Sequence, residues 1–316
     1  MKSSDRNRSD NLWAITSYFN PMGYQRRLVN YRLFREHLKV PLVAVELSFG
    51  SEYKLEAGDA DVLIQLRGGD VLWQKERLLN LALQALPAAC RKVVWVDCDV
   101  IFETDDWSER VSSLLERSMI MQTFSYVHYM PPEWTPGKRE YEAEYTQSSI
   151  AFDLASGTPA VTSMLRLDEA RWSTHAPGFS WAARRELLDE YGFYDACVVG
   201  GGDRAMACAA YGFFHDLIER FHMNERQANR YLAWAKPYYQ AVQAPTSFLD
   251  CNLFHLWHGD LRNRRPRDRH KGFERFNFNP FEDIAIDATG CWRWNTNKPD
   301  MHEYVRNYFA SRREDG

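Results

Sequence analysis

Two aspartates one residue apart close an apolar run, Val93-Val94-Trp95-Val96-Asp97-Cys98-Asp99. Such a run suits a strand buried on both faces. If strand geometry persists to its end, Asp97 and Asp99 point to the same side. Carboxylates sharing a face repel each other, and a hard divalent cation relieves that repulsion. In open α/β sheets, ligands bind at the carboxyl ends of the strands, where this pair lies. A solvated strand-to-loop turn accounts for the same pair equally well, because Asp favours turns.

Two further features lie far along the chain. Gly200-Gly201-Gly202 precedes Asp203. Glycines let a backbone approach a ligand closely, and a carboxylate at a helix start is favoured by the helix dipole. That suits a general base facing a pocket; a helix cap after a flexible loop is the plainer reading. The second feature is His255-Leu256-Trp257-His258. Histidine is a common metal ligand. On a regular strand the two rings would face opposite ways, so a shared ion requires a turn near Trp257. His258, beside Gly259, is the better candidate. A basic run from Arg262 to Lys271 follows. It reads as an exposed charged loop or as a mobile lobe whose Arg and Lys groups pair with phosphate oxygens.

The elements that must position these residues alternate. Strands are expected over Leu12–Tyr18, Pro41–Leu47, Asp61–Leu66 and the Val93 run, with Met119–Phe124 a further candidate. Helices are expected over Tyr24–Leu38 and over Trp73–Leu86, the latter stopped by Pro87. This order argues for a largely parallel sheet covered by helices. Prolines and glycines from Pro131 to Gly137 mark a long loop. Gly178–Ala182 leads into a helix over Arg184–Tyr191, and Asp203 opens one over Ala205–Tyr211. Asn224–Ala235 reads as a helix, Ser247–Trp257 as one strand, and Met301–Arg312 as a short helix.

With 316 residues, the chain can bury a large core in one domain or two. A hydrophobic fraction of 45% with 26% charged residues is globular, without the signature of disorder. A net charge of −4 gives no global pull toward nucleic acid or membrane. Six scattered cysteines without a Cys-x-x-Cys pair argue against structural zinc and fit reduced thiols in the cytoplasm. No stretch is apolar enough for a transmembrane segment or signal. Residues 1–10 are expected to be a mobile tail.

The order of these features resembles that of glycosyltransferases with the GT-A fold, in particular the β-1,4-galactosyltransferase type. Trp73 to Asn80 resembles the helix that precedes the acid pair there, with Lys75 where that family has a basic residue near the nucleotide. Gly178-Phe179-Ser180-Trp181-Ala182 is similar to the family's sugar-site segment. Gly200-Gly201-Gly202-Asp203 falls on its Gly-Gly-Glu-Asp motif, whose Asp is the catalytic base. His258, followed by Arg262 and Arg264, resembles its His ligand and flexible basic loop, and His255 falls on a possible second ligand. The resemblance covers roughly residues 12–283. This sequence departs from it at Gly202, where the family has Glu, at Arg204, where it has an acid, and at Val198-Val199.

The resemblance implies an α/β GT-A domain over 11–283, with a Rossmann-like, mainly parallel sheet. Its nucleotide half would span about 11–125 and its acceptor half about 126–283, with 284–316 a C-terminal extension. It implies metal-dependent, inverting transfer of a sugar from a UDP-sugar to the hydroxyl of a carbohydrate or glycoconjugate. Mn²⁺, or Mg²⁺, would be held by Asp99, His258 and His255, with Asp203 as base. Asp97, Lys75, Arg264, Thr16, Tyr18 and Glu46 would border the nucleotide, and Gly178, Trp181, Gly201 and Gly202 the sugar. Two alternatives stay open: a non-catalytic carbohydrate-binding protein on this fold, and a metal-dependent phosphohydrolase or nucleotidyltransferase.

Overall fold

A computed structural model of the chain describes residues 11–137, 142–157, 175–243, 246–264 and 268–316. The expected tail over 1–10 and the centre of the basic run lie outside the described residues. The strands are β1 (Leu12–Phe19), β2 (Leu42–Ser48), β3 (Val62–Arg67), β4 (Lys92–Val96), β5 (Val100–Phe102), β6 (Ile120–Gln122), β7 (Tyr126–Tyr129), β8 (Tyr145–Ser149), β9 (His175–Ala176), β10 (Ser180–Arg184), β11 (Ser247–Phe248), β12 (Asn252–His255), β13 (Ile284–Ile286) and β14 (Trp292–Trp294). The helices used below are α1 (Gln25–His37), α2 (Lys75–Gln84), α3 (Arg185–Tyr191), α4 (Gly202–Tyr211), α5 (Phe214–Arg220), α6 (Glu225–Val242), α7 (Asp268–Glu274) and α8 (Pro299–Ser311).

A seven-stranded sheet has the order β11-β6-β10-β4-β1-β2-β3. All its pairings are parallel except those of β10, which runs against β4 and β6. The expected α/β architecture, a mainly parallel central sheet flanked by helices, is therefore present. Its central strands read as apolar runs because both faces are covered. Val93 and Trp95 pack with Leu78, Leu79 and Ala82 of α2 on one face. Val94 and Val96 pack with Tyr31 and Phe34 of α1 on the other. From β1 the chain builds outward through β2 and β3, then returns to place β4 on β1's other side. The β1/β4 boundary is thus a topological switch point, where a crevice opens at the strands' carboxyl ends.

A second sheet has the order β5-β12-β7-β8-β9, and its β5 follows β4 through the link over residues 97–99. The strand ending at Val96 stops short of both aspartates, so they lie on the link between the two sheets rather than on one strand face. The single strand expected over Ser247–Trp257 is two short strands in different sheets. The helix expected to end at Ala235 runs on through Pro237 to Val242. Tyr231, Ala235, Tyr238 and Val242 are all buried on it, and that packing holds the helix across the proline. Six cysteines are free and buried. Among the described residues, no helix is long and apolar enough to cross a membrane.

Residues 284–316 are built into this fold. The β13–β14 hairpin clamps the loop before α2: Gly69 N donates to Asp287 Oδ2 at 2.6 Å, and Gln74 Nε2 donates to Trp292 O at 2.7 Å. Phe309 of α8 packs on Phe19 and Trp73, so the C-terminal segment lies beside the crevice.

Candidate active site

Register explains how distant residues meet. β5 begins immediately after Asp99 and pairs antiparallel with β12, His255 opposite Val100. Leu256 N donates to the main-chain carbonyl of Asp99 at 2.8 Å, which fixes the backbone of that residue beside the histidines. β12 ends at His255, and the chain leaves strand geometry over the next residues, with a bend at Gly259. Strand alternation is broken there, and both rings face one point.

Asp99, His255 and His258 offer ligand atoms that all lie within 4.8 Å of one another. His258 Nε2 stands 3.0 Å from Asp99 Oδ2, and the two Nε2 atoms are 3.1 Å apart. Ligands bound at about 2.1 Å and at right angles lie about 3 Å apart, so the spacing fits one divalent ion. Burial works against ionisation of Asp99, but His258, His255 and Arg264 together outweigh it and hold the carboxyl well below its ordinary range. Burial holds His255 well below the usual imidazole value, so it is neutral and able to ligate. Arg264 Nη2 lies 2.8 Å from His258 Nε2, so its guanidinium lies against the cluster.

A second cluster adjoins the first. Lys75 Nζ contacts Asp97 Oδ1 at 2.5 Å and both Asp203 oxygens at 2.8 and 2.9 Å. Burial opposes the Lys75 charge, and Asp203 and Asp97 more than offset it, keeping the ammonium above its ordinary value. Asp97 and Asp99 therefore serve different partners, Asp97 the lysine and Asp99 the imidazoles. Asp203 stands in the first turn of α4, behind Gly201 at φ 100°. A Cβ at Gly178 would lie 2.9 Å from Asp203 Oδ2, so only glycine admits this approach. Beside it, Phe179 takes φ 72°, a strained backbone for an aromatic residue. Its carbonyl accepts from Asp97 N at 2.8 Å.

One cavity of about 570 Å³ takes in both clusters, with Asp97, Asp99, Asp203, Lys75, His255 and His258 in its wall. Arg264, Gly178 and Gly201 also line it. It opens at the β1/β4 carboxyl ends, as the topology requires.

Other expected site residues do not reach it. Along β1, Ser17 and Phe19 line the cavity, and Thr16 and Tyr18 face the other way. Thr16 Oγ1 donates to Val96 O at 2.7 Å, and Tyr18 packs edge-on against Tyr31. Glu46 accepts from Lys54 N at 2.6 Å and Gln65 Nε2 at 2.8 Å, which occupies it structurally. Tyr18 and Glu46 line a separate groove with Asn20, Ser48 and Lys54. Trp181 is stacked on Trp95 in the core, and its indole N–H donates to Pro177 O. Gly202 faces α2 instead: a Cβ there would lie 2.2 Å from the Glu76 carboxyl carbon. Burial pushes that Glu76 carboxyl up to about 8, and its Oε1 has no hydrogen-bond partner.

The structure adds residues that spacing alone did not single out. Glu314 is 1% exposed and approaches His258 Nδ1 at 3.4 Å. It accepts from Arg312 Nε at 2.5 Å and Arg27 Nη1 at 3.1 Å. Burial opposes its ionisation, and Arg27 and Arg312 hold it well below the usual carboxylate value. No sequence signal ties Glu314 to the histidine; chain folding alone joins them. Tyr129, Tyr145, Gln147 and His175 form another wall of the cavity.

No family model matches the sequence, and no curated protein does. Solved structures resemble the fold at a distance. TarS of S. aureus is 11% identical, with a TM-score of 0.39 over 85% of this chain and 44% of that one. This chain thus spans less than half of TarS. Glucosyl-3-phosphoglycerate synthase from Mycobacterium tuberculosis, in complex with Mn²⁺, UDP-glucose and phosphoglyceric acid, is 15% identical. Its TM-score is 0.39, over 86% of this chain and 80% of that one. The 4-diphosphocytidyl-2C-methyl-D-erythritol synthase of Anaerococcus prevotii is 8% identical, with a TM-score of 0.34 over 79% and 90% of the two chains.

Proposed function

We propose that this protein is a metal-dependent, inverting glycosyltransferase of the GT-A type, which moves a sugar from a UDP-sugar to an acceptor hydroxyl. One observation carries the reading: a single cavity is lined by a spacing-compatible Asp-His-His set and by a carboxylate behind a glycine loop. Asp99, His255 and His258 would hold Mn²⁺ or Mg²⁺, which when bound supplies positive charge to a departing diphosphate. Lys75 and Arg264 add fixed positive charge beside it. Asp203 accepts the proton of the acceptor hydroxyl as that oxygen bonds to the anomeric carbon. The carbon's bond to the diphosphate breaks, and the nucleotide leaves with the electron pair. A single displacement inverts the anomeric centre. The Lys75 Nζ contacts, at 2.8 and 2.9 Å, hold the Asp203 carboxylate in place at the cavity wall.

Calorimetric titration with UDP tests the reading. UDP is expected to bind with Mn²⁺, to bind far more weakly without it, and to lose at least ten-fold in Asp99→Ala. Asp203→Asn is expected to keep UDP affinity and to lose turnover of UDP-sugars. Full-strength UDP binding by Asp99→Ala without metal would overturn the proposal.

A further inference from the structure

Between the two clusters of the cavity wall the chain makes a strained turn, centred on Phe179. Ser180 N donates to Gly178 O at 3.1 Å, so the bond spans three residues with Phe179 in the middle at φ 72°. A bond of that span around a positive φ is the rarer and more strained of the two γ-turn forms. Glycine enters it without a side-chain clash, yet this chain puts a phenylalanine there. Among the described residues, the other non-glycine positions at positive φ lie between 45° and 51°, close to the left-handed helical region, and none of them lines the cavity. Strain of this kind persists only where the surroundings enforce it.

Here the surroundings are the site itself. Gly178, on one side of the turn, lies against the Asp203 carboxylate. Ser180, on the other side, enters β10 opposite Val96 of β4, and Phe179 O accepts from Asp97 N at 2.8 Å. The Phe179 ring meets the His255 imidazole edge-on, with centroids 5.2 Å apart and planes at 70°. Tyr129 meets the same imidazole at 4.9 Å, and Phe124 backs the Phe179 ring at 6.1 Å. One residue therefore touches the backbone of Asp97 and the side chain of a metal-facing histidine, next to the glycine that admits the base. Rotation of Phe179 to an ordinary negative φ would carry its ring or its carbonyl away from these partners.

We propose that Phe179 is a positioning residue for the metal face of the site: the strained turn holds its ring inward, and the ring keeps the His255 imidazole aimed at Asp99. This rests on the glycosyltransferase reading, which makes His255 a metal ligand. His255 Nε2 lies 4.0 Å from Asp99 Oδ1. An imidazole rotates about two side-chain bonds until something besides the ion fixes it, and such outer partners set metal affinity. Edge-to-face packing by Phe179 and Tyr129 fixes it here. The strain then has a physical reason. A glycine would relax the backbone and supply no ring, whereas phenylalanine supplies the ring at the cost of the backbone.

Mn²⁺ titration of the full chain, followed by paramagnetic resonance, tests this on Phe179→Ala, Phe179→Gly, His255→Ala and the Phe179→Ala/His255→Ala double variant. Phe179→Ala and Phe179→Gly should each weaken Mn²⁺ binding about ten-fold. Phe179→Gly should nonetheless unfold at higher urea than Phe179→Ala, since only glycine relaxes the turn. A purely structural role would make affinity follow stability instead. Because Phe179 acts through His255, the double variant should bind Mn²⁺ as His255→Ala does. If Phe179→Ala does not fold, Phe179→Gly takes its place in the cycle. Losses that multiply in the double variant, or wild-type Mn²⁺ affinity in the Phe179 variants, would overturn the positioning role and leave the glycosyltransferase reading standing. Wild-type protein that binds no Mn²⁺ would overturn both.

Discussion

Glu314 is the sharpest point at which to perturb the site from outside the cavity. Its carboxylate is 1% exposed and serves Arg312, Arg27 and His258 at once. Glu314→Ala leaves two guanidinium groups without their shared counter-charge; their side chains are only 6% and 15% exposed. Removing one partner of a buried ion pair costs about 3–5 kcal/mol. That is a large fraction of the roughly 5–15 kcal/mol that stabilises a typical domain. Urea unfolding of metal-free protein near neutral pH should therefore show a much lower midpoint for Glu314→Ala. Glu314→Gln keeps shape and an acceptor oxygen, so it should fold better but hold His258 less firmly. Loss of an outer partner of a metal-ligating histidine typically costs about 10–100-fold in metal affinity. Mn²⁺ titration followed by paramagnetic resonance reads that loss directly. The pH dependence follows from the depressed carboxyl. Its stabilisation is fully present above the unfolded value of about 4.5 and fades as pH falls below it. The stability gap between wild type and Glu314→Gln should close in acid. An unchanged urea midpoint in Glu314→Ala, together with wild-type Mn²⁺ affinity in Glu314→Gln, would refute the claim that the C-terminal segment completes the site.

Glu76 should behave with the opposite sign. Burial raises its folded carboxyl to about 8, so the folded state keeps a proton that the unfolded chain loses above about 4.5. Stability should fall as pH rises through that window, by up to about 1.4 kcal/mol per pH unit, and Glu76→Gln should remove that slope; coincident pH profiles of the two proteins would contradict it. Arg264 lies against the same His258 nitrogen that faces Asp99. Arg264→Ala should bind Mn²⁺ several-fold more tightly without nucleotide, yet bind UDP about ten-fold more weakly at saturating Mn²⁺. If Mn²⁺ affinity without nucleotide falls instead, Arg264 supports the cluster rather than competing with the ion.

What the sequence determined was set by short-range physics. Apolar runs and helical spacing gave β1 to β4, α1 and α2 to within a few residues, because burial on two faces leaves a pattern inside one element. The Asp97/Asp99 pair, Asp203 and the two histidines were legible as chemistry because their residue types are expensive to bury without a purpose. Tertiary structure decided their pairing. The expectation that both aspartates share one strand face gave way because the strand ends at Val96, and the ladder to β12 draws Asp99 alone to the histidines. Thr16 and Tyr18 had the wrong parity on β1, a distinction of one residue that depends on which sheet face the crevice takes. Glu314 carried no local signal at all. Its contacts unite residues far apart in the chain, and only the packing of the C-terminal segment against the crevice brings their charges together.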